Sequence, residues 1–246
     1  MPKRARLDVV LASRGLFPSR EQAQRAVMAG QVRSGGRVLN KASELITPDT
    51  ELTVEAPPKY VGRGGLKLEG ALDHFAIDPA GQTCLDVGAS TGGFTDCLLQ
   101  RGAARVYAID VGHGQLAWKI RNDPRVIVRE HLNARQLTRD DIPEPIDLCV
   151  IDVSFISLTL VLPSAFELLT PSGMLLALIK PQFELEARDV GRGGIVKDPA
   201  LHEKAQRKVE EFVAAAGHAI RGIAPSPITG TDGNQEFFLC AQKRSA

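Results

Sequence analysis

Aromatic residues make up only 5% of this 246-residue chain, with one tryptophan, Trp118, and two tyrosines. Cysteine is also scarce. Cys84, Cys97, Cys149 and Cys240 are widely spaced, form no CxxC pair and lie in or beside apolar runs, so they read as reduced core residues and exclude a disulfide framework. No metal is expected. Long hydrophobic runs are missing too. Val9 to Ala12 is too short for the core of a signal peptide, and Met174 to Ile179 is strand-sized, so no membrane partner is expected and the cytoplasm is the default location. No Gly-Lys-Ser/Thr follows the one clear glycine turn, which rules out a phosphate-binding P-loop. What is present is a 43% hydrophobic content, enough to bury a core without metals or disulfides, in a chain long enough for one small and one large domain.

The net charge of +1 conceals an asymmetry: residues 1 to 41 hold nine Lys/Arg against two Asp/Glu, and the rest hold 21 against 27. A basic module on a mildly acidic globular domain is the charge pattern of an enzyme delivered to a polyanion, although a solvated basic surface has the same composition. Within the module, Leu7, Val10 and Leu11 repeat at helical spacing. A second helix starts at Ser19, with Gln22 completing a capping-box pattern, buries Ala23, Ala26 and Val27, and stops at Gly30. Gln31 to Arg33 and Arg37 to Leu39 flank Ser34-Gly-Gly36, a tight hairpin turn. This order, with Arg4-x-Arg6-Leu7-Asp8, Ser19-Arg20-x-x-Ala23 and Gly30-x-Val32, resembles the S4 RNA-binding domain over residues 1 to 60. The resemblance implies docking on structured RNA, with Arg4, Arg6, Arg20, Arg25, Arg33 and Lys41 as phosphate contacts. Phe17 is nearly alone among aromatics here, which disfavours stacking on a single strand. Pro57-Pro58 opens a linker near residues 58 to 62, and a second domain spans 61 to 246.

From residue 66 helical and strand-like stretches alternate. Apolar strands at 84–87, 106–109, 126–128, 148–151 and 174–179, followed by 219–224 and 236–241, predict a seven-stranded, mostly parallel α/β sheet with a reversed final pair. Ligands bind such sheets beyond the carboxyl ends of the strands. There the turn Gly88-Ala-Ser90-Thr-Gly92-Gly93 leads into a helix carrying Phe94, Leu98 and Leu99 on its inner side, and Gly88, Ser90, Gly92, Gly93 and Phe94 are expected to bind the cofactor. Glycine turns serve dinucleotides as well, but Asp86, two residues before Gly88, repels a pyrophosphate and suits the ammonium of S-adenosylmethionine, directly or through water. Asp110, 22 residues beyond Gly88, is placed for ribose hydroxyls, and Asn133 for the adenine edge, with His131 and Leu132 as rivals. Trp118 reads as helix packing or, less favourably, a cofactor contact. The stretch Phe183 to Pro199 reads as a lid, with Arg188 and Arg192 near RNA phosphates, or as a mobile surface loop.

Four polar residues sit at the ends of separate elements: Lys67, Asp152, Lys180 and Glu236. Each alone reads as a strand-end charge in water. Together, two amines and two carboxylates suit deprotonation and alignment of a hydroxyl, which is a poor nucleophile at neutral pH. Gly64-x-x-Lys67-Leu68, Asp152-Val-Ser154, Lys180-Pro-Gln-Phe183 and Gln235-Glu236 resemble the Lys-Asp-Lys-Glu tetrad of FtsJ-like ribose 2'-O-methyltransferases. By that similarity the second domain is a Rossmann-like class I methyltransferase, Lys180 is the base, Asp152 and Lys67 assist alignment and charge balance, and Glu236 orients a lysine. With Ser90-Thr-Gly-Gly-Phe-Thr95 and Gly191-x-Gly-Gly-Ile-Val-x-Asp198-Pro-x-Leu-His202, the whole chain resembles the TlyA (hemolysin A) family of rRNA cytidine 2'-O-methyltransferases. The resemblance implies S-adenosylmethionine as cofactor and ribosomal RNA in the small subunit, the large subunit or both as partner. Where some mycobacterial-type members carry Arg-x-Trp-Val, this chain has Pro58-Lys-Tyr-Val61. Rival readings are a noncatalytic RNA-binding assembly factor, against which the intact tetrad and glycine turn argue; a membrane-active hemolysin, which needs a membrane segment; and a nicotinamide oxidoreductase, which Asp86 disfavours.

Overall fold

The computed structural model describes residues 4–56 and 58–244, so the basic opening Met1 to Lys3 and Pro57 of the linker lie outside the described residues. The chain divides into two compact units, Met1–Lys59 and Tyr60–Ala246.

The first unit runs β1 (Ala5–Arg6), α1 (Leu7–Ser13), α2 (Arg20–Met28), β2 (Val32–Ser34), β3 (Arg37–Val38), β4 (Leu45–Ile46) and β5 (Thr53–Val54). The strands form a β1-β4 pair and a β3-β2-β5 sheet. Leu7, Val10 and Leu11 of α1 meet Ala23, Ala26 and Val27 of α2 in one core with Val32, Leu39 and Ile46. Ser19 begins α2 by accepting a hydrogen bond from the Gln22 amide at 3.2 Å. Gly35 and Gly36 both have positive φ, +53° and +82°, as a two-residue hairpin turn that follows the twist of its strands requires.

The second unit adds α3 (Gly64–His74), β6 (Thr83–Val87), α4 (Gly93–Gln100), β7 (Arg105–Asp110), α5 (Trp118–Arg121), β8 (Val126–Glu130), β9 (Ile146–Ile151), α6 (Leu162–Leu168), β10 (Leu169–Ile179), α7 (Pro181–Glu184), α8 (Pro199–Ala215), β11 (Ala219–Pro225) and β12 (Phe237–Gln242). The seven strands lie in the order β11-β12-β10-β9-β6-β7-β8. All neighbours are parallel except those of β12, which runs antiparallel to both β10 and β11.

Side chains alternate between the two faces of the sheet, and the central strands are largely apolar because helices cover both faces. Leu85, Val87, Cys149, Ile151, Leu175 and Ala177 join the core that holds Ala165 and Phe166 of α6 and Val209 of α8. Cys84, Leu148, Val150, Leu176 and Leu178 join the opposite core with Leu68 of α3 and Phe94, Leu98 and Leu99 of α4. Each such large side chain contributes about 1.5–3 kcal/mol of burial free energy. Asp86 has the parity of Cys84, so its carboxylate is directed into the second core, toward α4. The strand order reverses between β6 and β9, and at such a point the loops leaving neighbouring strands part and open a crevice.

Candidate active site

That crevice is a cavity of about 560 Å³ whose walls include Gly88, Ser90, Asp110, Asn133, Asp152 and Phe155. Gly88, at φ +86°, has no room for a side chain: an added Cβ would lie 2.4 Å from the Asp152 carbonyl oxygen. The Asp152 amide also donates to the Val87 carbonyl at 2.9 Å, so the ends of β6 and β9 are locked together. Both carboxylate oxygens of Asp110 accept backbone amides, from Ser90 and Gly112 at 2.8 Å each, which orients the group at the end of β7. Asn133 accepts the Arg135 amide at 3.1 Å and remains exposed on the far wall.

The other residues expected to bind cofactor lie away from the cavity wall. Gly92, at φ +96°, precedes α4 beneath Leu116, and Gly93 packs against Gly62 to Gly65. Phe94 is a core residue, 6.0 Å from the Phe238 ring. Asp86 is fully buried: Oδ2 accepts the Thr95 hydroxyl at 2.6 Å, and Oδ1 has no hydrogen-bond partner. Burial pushes this carboxyl up to about 7, opposed by the Thr95 hydrogen bond and reinforced by the charge of Asp152. The enclosed carboxylate does not reach the cavity wall, so direct contact with a ligand there is closed to it.

Strand register gathers the tetrad. Ile179 faces Phe237 across the antiparallel β10-β12 pair, so Lys180 and Glu236, the next residues outward, leave the sheet at the same edge. Asp152 leaves the same edge from β9. The first turn of α3 lies beside it, with Gly64 close to both Phe94 and Asp152. Two ion pairs with buried amines result. Lys67 Nζ donates to Glu236 Oε2 at 2.5 Å. Lys180 Nζ lies 2.6 Å from Asp152 Oδ1, off the line of a hydrogen bond, and donates to the Ser154 hydroxyl at 3.0 Å. Charge separation this close, in a partly desolvated edge, fixes both amines in place.

Sequence reasoning missed Phe155. It is 91% exposed at the cavity rim and adopts φ +63°, a conformation rare for a bulky residue. Neither property has a sequence signature. Arg135 on the cavity wall was missed as well. Trp118 does not pack its helix: it is 79% exposed, which overturns the packing expectation. The stretch 183–199 is tethered rather than loose. Buried Asn234 accepts the Val196 amide at 2.8 Å and donates to the Gly194 carbonyl at 2.9 Å. Arg188 is paired with Glu186 at 2.8 Å.

In the amino-terminal unit, Asp8 is a buried carboxylate that takes two hydrogen bonds from Arg6 and one from Arg20, each at 3.0 Å, and one from Gln24 at 2.6 Å. The Arg6 guanidinium holds its pKa well below the usual carboxylate range, with Gln24 and Arg20 adding to the effect and burial opposing it. Arg25 pairs with Glu21 at 2.5 Å and Arg33 with Glu55 at 2.6 Å. Arg4 and Lys41 are exposed and, among the described residues, have no ion-pair partner.

Comparison with known proteins agrees with this geometry. The FtsJ-like methyltransferase family model matches residues 60–243 and the S4 domain model residues 5–52. The provisionally assigned rRNA methyltransferase YqxC of Bacillus subtilis is 50% identical over 239 residues, 96% of this chain and 85% of that protein. The 16S/23S rRNA (cytidine-2'-O)-methyltransferase TlyA of Mycobacterium tuberculosis is 47% identical over 241 residues, 97% of this chain and 90% of that protein. A solved chain from Streptococcus thermophilus, provisionally described as a hemolysin, superposes with a TM-score of 0.76 at 43% identity, covering 100% of this chain and 90% of that one. Among the described residues no helix is long and apolar enough to cross a membrane. The chain therefore belongs to the FtsJ-like methyltransferase family, and within it to the TlyA (hemolysin A) group that joins an S4 domain to the methyltransferase domain.

Proposed function

We propose that this enzyme methylates the ribose 2'-oxygen of a cytidine in ribosomal RNA, using S-adenosylmethionine. The observation that carries the reading is the pairing of Lys180 with Asp152 at 2.6 Å on the edge of a cavity whose far wall holds Asp110 and Asn133. The cavity suits the cofactor: Asp110 and Asp152 on its walls favour a sulfonium over a pyrophosphate. Asp110 would take the ribose hydroxyls and Asn133 the adenine edge. Bound there, S-adenosylmethionine supplies an electrophilic methyl group. Lys180 is placed to accept the proton of the attacking hydroxyl, while Asp152 and Ser154 hold its amine in position. Lys67, tied to Glu236, adds a positive charge beside the developing alkoxide. Phe155 offers its exposed ring to the target base. Arg4, Arg25, Arg33 and Lys41 supply phosphate contacts from the S4 unit, with Arg6 and Arg20 sharing theirs with Asp8.

Support from kinship is the name carried by the Mycobacterium relative, which specifies cytidine 2'-O-methylation of both rRNAs. The test is transfer of labelled methyl from S-adenosylmethionine to purified 30S and 50S subunits lacking the modification, followed by mapping. Label at a cytidine 2'-oxygen is expected. Label on a base, or none on either subunit despite cofactor binding, overturns the reading.

A further inference from the structure

Lys180 opens a run of five residues, Lys180 to Glu184, of which three grip the loop after β9. Lys180 reaches Asp152 and Ser154. The Phe183 ring lies 5.0 Å from Phe155. Glu184 Oε2 accepts the Ser157 hydroxyl at 2.5 Å, and Oε1 accepts the Leu158 amide at 2.7 Å. The loop so held presents the tetrad aspartate and the exposed aromatic of the cavity rim within four residues. It also contains the positive φ of Phe155, a conformation that persists only where surrounding contacts over-determine it.

Glu184 is the part of this grip that the catalytic pairs do not account for. Its carboxylate is buried yet fully partnered, because Lys208 of α8 approaches Oε2 at 3.1 Å and donates to the Glu184 carbonyl at 2.7 Å. A buried carboxylate with a hydroxyl, an amide and an ammonium arranged around it is costly to disturb, and each of its partners is silent in the chemistry. We infer that Glu184 is a positioning residue for methyl transfer: it ties residues 157–158 to the segment carrying Lys180, and so holds Ser154 and Phe155 in the arrangement the reaction uses. The inference deepens the proposed reaction and rests on it for the role of Lys180.

The test compares Glu184→Gln, Ser157→Ala and the double variant with the wild type and Lys180→Ala, in the full chain. One measurement is single-turnover and steady-state methyl transfer to 30S and 50S subunits, and the other is hydrogen exchange without RNA. Glutamine keeps the size but offers only one acceptor oxygen and no charge for Lys208. Glu184→Gln is expected to lower kcat about 10- to 100-fold, with the KM for subunits and the Kd for S-adenosylmethionine changed by less than about threefold. Amide protection should fall in residues 153–160 and stay unchanged in 83–110. Ser157→Ala should have a smaller effect, and the double variant should be no slower than Glu184→Gln alone.

Wild-type turnover by Glu184→Gln overturns the inference. So does a loss of protection across the sheet together with lost cofactor binding, which makes Glu184 a support of the fold as a whole. A slowed Glu184→Gln beside a fully active Lys180→Ala removes Lys180 as base and leaves the positioning role standing. An inactive Lys180→Ala beside a fully active Glu184→Gln does the reverse. If the wild type labels neither subunit, the proposed reaction fails, and the exchange pattern at 153–160 alone decides the tie.

Discussion

Both units of this protein set basic side chains against carboxylates, but to opposite ends. At the sheet edge, Lys67–Glu236 and Lys180–Asp152 are ion pairs with buried amines, reached through backbone that is itself locked by sheet register. In the amino-terminal unit Arg6 and Arg20 meet a buried Asp8 yet keep about half of each side chain in solvent, and the Arg25–Glu21 pair is exposed on both sides. A buried pair holds geometry, because breaking it leaves a charge without water. An exposed pair contributes about 0–1 kcal/mol and can be exchanged for an RNA phosphate. The same two residue types therefore give a fixed cluster at the sheet edge of one unit and exchangeable pairs in the other, as the proposed reaction centre and the proposed RNA-docking surface require.

The contrast can be broken most severely at the reaction centre. Lys180→Ala should reduce single-turnover methyl transfer by at least about 10²–10⁴-fold while leaving S-adenosylmethionine affinity, measured by calorimetry, within about threefold. Retained turnover would remove it as the base.

Next in size is the other buried pair. Lys67→Met strands Glu236 and should cost about 3–5 kcal/mol in urea unfolding of the methyltransferase unit, with part recovered by adding Glu236→Leu. A cost no larger than that of an exposed pair would contradict the burial argument.

Asp86 sharpens the comparison from a third direction, as a buried carboxylate with no cation. Its folded-state value of about 7 lies above the unfolded value, so the native state holds the proton more tightly. Its contribution to stability is fully present below about pH 4 and is lost as pH rises to about 7, a loss on the order of a few kcal/mol. Asp86→Asn should flatten that part of the stability–pH curve. An unchanged curve would mean that Asp86 is ionised or solvated throughout.

Asp8 has the opposite sign. Its depressed folded-state pKa gives stability that is present above the unfolded value near 3.9 and lost as pH falls through the folded one. Because its arginines are half-exposed, Asp8→Ala should cost only about 1–3 kcal/mol, read as faster amide exchange confined to residues 4–56. Exchange that stays at wild-type rates there would deny Asp8 a role in holding α1 to α2.

The smallest effect belongs to the exposed pair. Arg25→Ala with Lys41→Ala should weaken rRNA binding and lower the magnitude of its salt slope by about 1.4–1.8, whereas Glu21→Gln should strengthen binding by no more than a few-fold. A salt slope unchanged by the double replacement would move the RNA face elsewhere.

The central strands of the methyltransferase unit were legible because burial on both faces demands continuous apolar runs, and Leu148 to Ile151 or Met174 to Ile179 leave little alternative. The glycine turn was legible from its composition, but what requires glycine at 88 is the Asp152 carbonyl, against which only hydrogen fits. Phe94 was harder. Its place on the inner face of a helix and its place in the motif gave opposite readings, and packing against Phe238 decided for the core. Asp86 reads as a ligand contact by position, but strand parity turns it toward Thr95, beneath the turn rather than into the cavity. The exposure of Trp118 and Phe155 had no local signal, since neither a periodicity nor a neighbour in sequence marks a large side chain left in solvent.

By itself, then, the sequence determined the elements, their order and the charge division between the units, since these follow from local apolar period, turn chemistry and composition, whereas the four tetrad positions were picked out by resemblance to the FtsJ-like pattern. Only the tertiary structure decided the pairings: which lysine meets which carboxylate, that Asp8 draws in Arg6 and Arg20, and that Glu184 binds the loop bearing Phe155. Except for Arg6 and Asp8, two positions apart, those contacts join residues well separated in the chain, 169 positions for Lys67 and Glu236, and their geometry is set by sheet register and helix packing, which no local stretch encodes.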